Sequence, residues 1–365
     1  MKILQVANFV HPASGGLGRA VSALAHEYRS LGHDVRTVFP SDSECVDPSS
    51  STWTVHGVRI PTMGPYRAIV SRRPLKDIIT HYSPDIVEVS DKTTLAWLAP
   101  WCARRGILVT VISHERTDLA VRSGGLAGVI VRPLVRAWRR TVERWAPVIV
   151  CASPFASEEF RGTAPVVVVP FGVDTNLFHP VGKPESWSEP LRLVTCGRLS
   201  PEKKTSLAIE AVRVLAPHMS VELCVVGDGP LRAELEERAR GLPVTFAGNV
   251  SDREDVAAIL RSADVVVNLG SVETFGLVTL EALASGTPVI ASREGASPCL
   301  LTSSSGRLVG SDPTDVARKV LDIVSLTRID VSDACREHAL TFTWRTAATR
   351  ILSAHVPELE LRRAG

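Results

Sequence analysis

The stretch VVVNLGSVETFGLVTLEALASGTPVIAS, residues 265–292, decides the reading of the fold. Val265, Val266 and Val267 make the unbroken apolar run of a buried parallel strand. Gly270 and Ser271 end it. Apolar spacing at Leu277, Leu280, Leu283 and Ala284 then predicts a helix from about Phe275 to Ala284. Gly286 and Pro288 stop that helix, and PVIAS opens another strand. In parallel sheets, ligands bind where a strand ends and the next helix begins. The amides of Phe275, Gly276 and Leu277 would face an anion or a hydroxyl there. Glu273 and Glu281 flank the turn eight residues apart. They could grip two ends of one extended polar ligand. They could equally be a surface glutamate and a helix-start glutamate favoured by the dipole.

The chain around this stretch has 365 residues, which suits two domains. Hydrophobic content of 45% and charged content of 22% are those of an ordinary globular protein. A net charge of +2 argues against a dedicated nucleic-acid binder. The charge is uneven: residues 1–180 hold 20 Lys+Arg against 15 Asp+Glu, or +5, and the rest hold 21 against 24, or −3. The seven cysteines include no CxxC pair, and Cys151, Cys196 and Cys224 lie in apolar runs. Buried free thiols in a reducing compartment are expected, with no metal site. MKILQVANFV reads as a strand rather than a signal peptide, and no apolar run reaches transmembrane length.

From the N-terminus, Lys2–Val10 reads as a strand and about Gly18–Leu31 as a helix. Gly15, Gly16 and Gly18 lie between them. Glycines at such a turn let the backbone approach a phosphate, or merely make a tight turn. Strands recur at VRTVF, VHGVRI, DIVEVS, ILVTVIS, PVIVCAS and VVVVPFG, with helical stretches between, so the sheet is parallel and doubly wound. His114 and Glu115 fall just past ILVTVIS, at the ligand edge of that sheet. The segment 66–82 mixes Ile69, Val70, Ile78 and Ile79 with Arg67, Arg72, Arg73 and Lys76. It could lie on an anionic membrane or pair a core face with a solvated one. A second basic run, Arg132–Arg144, carries Trp138. Residues 174–190, with three prolines, read as a linker. A second βα series follows: LRLVTCG, helix 205–216, VELCVVGDG, helix 230–240, VTFAG, helix 253–262. After the opening stretch come helices near 313–325, 332–341 and 344–355.

Arg198 and Lys203, in LVTCGRLSPEKKTSL, are cations at a helix entry and suit a diphosphate. VVGDGP is a further glycine turn at a strand end. Taken in order, GGLGR, HE, FGVDTNLFHP, GRLSPEKK, VVGDGP, FAGNVSD, the Glu273-x7-Glu281 element and FTW resemble glycosyltransferase family 4. The resemblance covers nearly the whole chain. It implies the GT-B fold: two α/β Rossmann-like domains facing a cleft, with a C-terminal helix returning toward the first. The domains would be 1–173 (acceptor), 174–190 (linker), 191–343 (nucleotide sugar) and 344–365 (helix and tail).

By that resemblance, Arg198 and Lys203 hold the diphosphate, and Glu273 takes donor-sugar hydroxyls beside the Phe275–Leu277 amides. Glu281 binds the ribose, Gly16 contacts phosphate, and His114 lies near the transferred sugar. The anomeric configuration is retained. No obligatory metal or other cofactor is expected, since the cations serve the leaving group and the chain has no Asp-x-Asp. Val250 and Asp252 lie where the family lodges the base. Asp252 could accept both donors of guanine, or simply cap a helix. The form ETFG and the basic first domain resemble users of GDP-mannose. The expected activity is therefore α-mannosyl transfer to a glycolipid or other glycan, with UDP-glucose or UDP-N-acetylglucosamine as the alternative donor. An epimerase or a non-catalytic binder on the same fold is a further alternative. The expected setting is the cytoplasm, at the inner face of the plasma membrane through an anionic surface. One departure stands out: the family commonly has a glutamate three residues after a glycine pair, where this chain has Gly295, Ala296 and then Cys299.

Overall fold

The computed structural model describes residues 1–10, 16–47, 49–60, 66–119, 125–160 and 165–355. Gly15 and the tail beyond residue 355 lie outside these. The chain divides into two compact units, Met1–Phe171 with Trp344–Gly365, and Gly172–Thr343.

The strands of the first unit are β1 (Lys2–Val6), β2 (Asp34–Ser41), β3 (Thr52–His56), β4 (Val58–Arg59), β5 (Arg67–Ala68), β6 (Ile86–Val89), β7 (Leu108–Ser113), β8 (Val148–Cys151) and β9 (Val166–Val168). Seven of them form a parallel sheet in the order β3-β2-β1-β6-β7-β8-β9, and β4 pairs with β5 apart from it. Every residue of β6, β7 and β8 is buried, Glu88 and Thr110 included, which explains their Val- and Ile-rich sequences. VHGVRI is not one strand, because β3 ends at His56 and β4 turns away. Gly57 makes that break, since a Cβ there would lie 2.5 Å from the Pro40 Cβ. The C-terminal helix Trp344–Ser353 belongs to this unit. Arg345 donates to Ser30 Oγ at 2.9 Å, and Trp344 stacks on Phe171 at 5.7 Å.

The second unit contains β10 (Leu191–Cys196), β11 (Val221–Val226), β12 (Val244–Gly248), β13 (Val265–Asn268), β14 (Val289–Ser292) and β15 (Gly306–Val309). They form a parallel sheet in the order β12-β11-β10-β13-β14-β15. Ile209 and Val212 of the helix Thr205–Leu215 enter its core with Val316 and Val320 of the helix Pro313–Val324. The helix predicted near 332–341 spans Arg328–Ala339 instead. Its first residue is a buried arginine paired with Asp264 at 2.7 Å, so its start carries no apolar signature.

Each sheet reverses its winding direction once, between β1 and β6 in the first unit and between β10 and β13 in the second. Loops leaving neighbouring strands in opposite directions open a crevice at their C-terminal ends. In the second unit these are the Gly197–Lys204 loop after β10 and the Leu269–Gly276 loop after β13. They carry Arg198, Lys203 and Glu273.

Candidate active site

The two loops of the second unit are tied together by their backbones. Ser271 N donates to Glu202 O at 3.2 Å, and Gly197 N donates to Val226 O at 2.9 Å. Gly227 has φ +128°, and a Cβ on it would lie 1.9 Å from Gly197 O, so only glycine allows this approach. Lys203 forms an ion pair with Glu273, both side chains being partly buried. Arg198 is exposed on the same loop. A lysine and a carboxylate thus meet at the switch point, with an arginine on the lysine's own loop. That set suits a polyanion joined to a hydroxyl-rich group.

The helix after β13 spans Leu277–Ala284, two residues later than its spacing predicts. Phe275 is core, 4% exposed, and Gly276 is the N-cap with φ +93°. The N-cap makes no side-chain hydrogen bond, and Thr279 N already donates to Gly276 O at 3.0 Å. The first-turn amides at this helix end are therefore those of Leu277 and Val278 rather than Phe275. Glu281 is neither on the surface nor at the helix start: it is 3% exposed, with Arg253 Nη2 3.7 Å from its Oε1. Asp252 N-caps the helix Arg253–Ser262, its Oδ1 accepting from Glu254 N at 2.9 Å. Val250 is half-buried in the turn before it. The departing loop braces the clamp through its backbone. Ala296 N donates to Glu273 O at 2.9 Å, and a Cβ on Gly295 would lie 3.1 Å from that oxygen. Cys299 donates to Ala296 O at 2.9 Å, and burial pushes its thiol up.

In the first unit Gly16 is the exposed first residue of the helix Gly16–Ser30. His114 follows β7, its ring 5.4 Å from that of Phe171. Enclosure by the protein, then the Lys92 ammonium, push the His114 imidazole down to about 3, so it is neutral at physiological pH. Sequence reading missed what holds this turn. Lys92 Nζ donates to Ser113 Oγ at 2.6 Å, to Glu159 Oε2 at 2.7 Å and to Glu115 O. Glu159 in turn accepts from the hydroxyl and amide of Thr117. Arg253 was also missed. The only cues were a lysine just past a strand and a glutamate pair further along the chain, each ordinary on a surface.

Residues 14–177 match the family described as Glycosyltransferase Family 4, and residues 190–325 match Glycosyl transferases group 1. The chain is 37% identical to a GDP-mannose-dependent alpha-(1-6)-phosphatidylinositol dimannoside mannosyltransferase of Mycobacterium tuberculosis, over 97% of this chain and 95% of that one. It is 27% identical to a GDP-mannose-dependent alpha-mannosyltransferase of Corynebacterium glutamicum, over 81% and 73%. Among solved structures, sucrose-phosphate synthase of Thermosynechococcus elongatus superimposes with a TM-score of 0.77 at 21% identity over 99% of each chain. HepE of Anabaena, in complex with UDP, gives 0.76 at 18% over 98% and 100%. The chain belongs to glycosyltransferase family 4 and is a hexosyltransferase of the GT-B fold.

Proposed function

We propose that this chain transfers an α-mannosyl unit, with retention, from GDP-mannose to a glycolipid or other glycan acceptor. The observation that carries the reading is the Lys203–Glu273 pair, with Arg198 on the lysine's own loop, at the β10/β13 switch point of a chain 37% identical to a GDP-mannose-dependent enzyme. On this reading residues 191–343 take the donor and residues 1–173 the acceptor. Residues 174–190 link them, and 344–365 form the closing helix and tail. Arg198 and Lys203 hold the diphosphate, Glu273 the sugar and Glu281 the ribose. Gly16 approaches phosphate, and neutral His114 serves the transferred sugar by hydrogen bonding. The bond from the anomeric carbon to the phosphate oxygen breaks, and its electron pair goes to the diphosphate. The acceptor oxygen bonds the same face of that carbon and gives its proton to the leaving phosphate. The two cations stabilise the developing charge. They do so without a divalent ion, so activity should persist in EDTA. Complete loss restored by magnesium or manganese would contradict this.

The base is the finer step. Asp252 already accepts one amide through Oδ1, so holding guanine's two donors requires Oδ1 to accept twice and Oδ2 once. Calorimetry with GDP, UDP and ADP tests it. GDP should bind the wild type most tightly, and Asp252→Asn should weaken GDP about tenfold. Tighter UDP binding would instead favour a UDP-sugar donor. GDP preference unaffected by Asp252→Asn would leave the donor and remove Asp252 as its reader.

A glycolipid acceptor calls for a membrane-facing surface, and no helix among the described residues is long and apolar enough to cross a membrane. Of the two readings of segment 66–82, the core face holds for Ile69, Ile78 and Ile79, which are buried, and Arg67 is paired with Asp42. Cations and tryptophans remain. Arg72 lies 5.2 Å from the Trp97 ring centre, Arg105 3.9 Å from Trp101 and Arg104 5.0 Å from Trp145. Such pairs suit an anionic interface. At ~1 kcal/mol per cation, Arg72→Glu with Arg73→Glu should weaken sedimentation with anionic vesicles roughly thirtyfold or more. Equal wild-type binding to neutral and anionic vesicles would remove this surface.

A further inference from the structure

We infer that Glu273 also acts as a counter-ion that helps expel the nucleotide product, by taking Lys203 back once the sugar has left. The inference rests on the donor-site reading above and adds a second task for Glu273. The structure pairs the two side chains: Lys203 Nζ donates to Glu273 Oε1. Both partners are held by backbone rather than by chance. Lys203 N donates to Ser200 O at 3.0 Å, Ser271 N to Glu202 O at 3.2 Å, and Ala296 N to Glu273 O at 2.9 Å. The stems run over two strand-end glycines. A Cβ on Gly270 would lie 3.0 Å from Glu273 Cγ and 3.6 Å from Lys203 Cδ, and one on Gly197 would lie 3.8 Å from Lys203 Cε. Backbone hydrogen bonds tie both loops, so rotation of the two side chains suffices to open and close the pair.

Three states differ in who satisfies each charge. Without donor, the two side chains satisfy each other. With donor, the diphosphate takes Lys203 and the sugar hydroxyls take Glu273, so neither charge is stranded. With nucleoside diphosphate alone, Lys203 is taken and Glu273 is left a partly buried carboxylate beside a polyanion. That state is disfavoured by desolvation and like charge together. Re-forming the pair relieves both and loosens the diphosphate. The site thereby discriminates donor from product, although both carry the same nucleotide.

Wild type, Glu273→Gln, Lys203→Met and the double variant should be titrated with GDP and with UDP by calorimetry. Glu273→Gln, which frees Lys203, should bind the preferred nucleotide about two- to fivefold more tightly than wild type, even though it transfers sugar poorly. Lys203→Met should bind it more weakly, and adding Glu273→Gln on that background should bring no gain. The inference is overturned if Glu273→Gln binds no more tightly. It is equally overturned if the gain persists without Lys203, since that would be repulsion of the nucleotide by Glu273 alone. Unchanged affinity in Lys203→Met would remove the diphosphate from this loop, and with it the reading underneath.

Discussion

Glu273→Ala should lower turnover with GDP-mannose about tenfold to a hundredfold, whereas Glu281→Ala should act mainly by raising the donor KM. Each loses a hydrogen bond to a charged group, worth ~1.5–3 kcal/mol. The effects divide because the two carboxylates sit in different surroundings. Glu273 is on a loop at the strand end, partly exposed and paired with a lysine that would hold the leaving group. Interactions there change as the glycosidic bond breaks, so their loss appears in kcat. Glu281 is buried within its helix beside Arg253, away from the reacting bond on this reading. A contact equally good in ground and transition states supports binding without turnover. Steady-state kinetics of both variants, with melting curves to show that each is folded, checks the division. Wild-type kinetics in both would remove the clamp from the site.

The same contrast explains what was legible beforehand. Strands buried on both faces announce themselves through Val- and Ile-rich runs, so β6, β7, β8 and β13 were readable although Glu88 and Thr110 interrupt two of them. Helix ends were less so. The helix at Leu277 starts late because Phe275, apolar and correctly spaced, is packed in the core ahead of a left-handed glycine cap. Arg328 hid a helix start for the opposite reason, being charged yet buried. Arg198, Lys203 and Glu273 were legible because they lie on short loops in fixed order. Lys92 and Glu159 were not. They are 67 residues apart, Lys92 just past β6 and Glu159 in the 3-10 turn Glu158–Phe160 that follows β8 and a short helix, and only the order of the sheet brings them together.

That pair should have a large effect on stability. Lys92 and Glu159 side chains are 4% and 1% exposed, at 2.7 Å. The ammonium spends its three hydrogens on Glu159, Ser113 and the Glu115 carbonyl, so it fastens the end of β7, the loop after it and the 3-10 turn Glu158–Phe160 at one point. Lys92→Met keeps most of the volume but strands the Glu159 carboxylate in a dry site. Breaking a buried pair in this way costs about 3–5 kcal/mol. For a unit of this size that is a fall in Tm of about 10 °C. Adding Glu159→Gln should recover much of the loss, because the amide keeps an acceptor for the Thr117 amide and carries no charge. If the network serves only stability, the double variant should also regain activity. If its geometry sets the His114 turn, the double variant should melt near wild type yet remain slow, since Ser113 and the Glu115 carbonyl have lost their common donor. Thermal unfolding followed by kinetics at 25 °C separates these outcomes. A wild-type Tm in Lys92→Met, or a double variant no more stable than the single, would show that the charge is not buried as the structure has it.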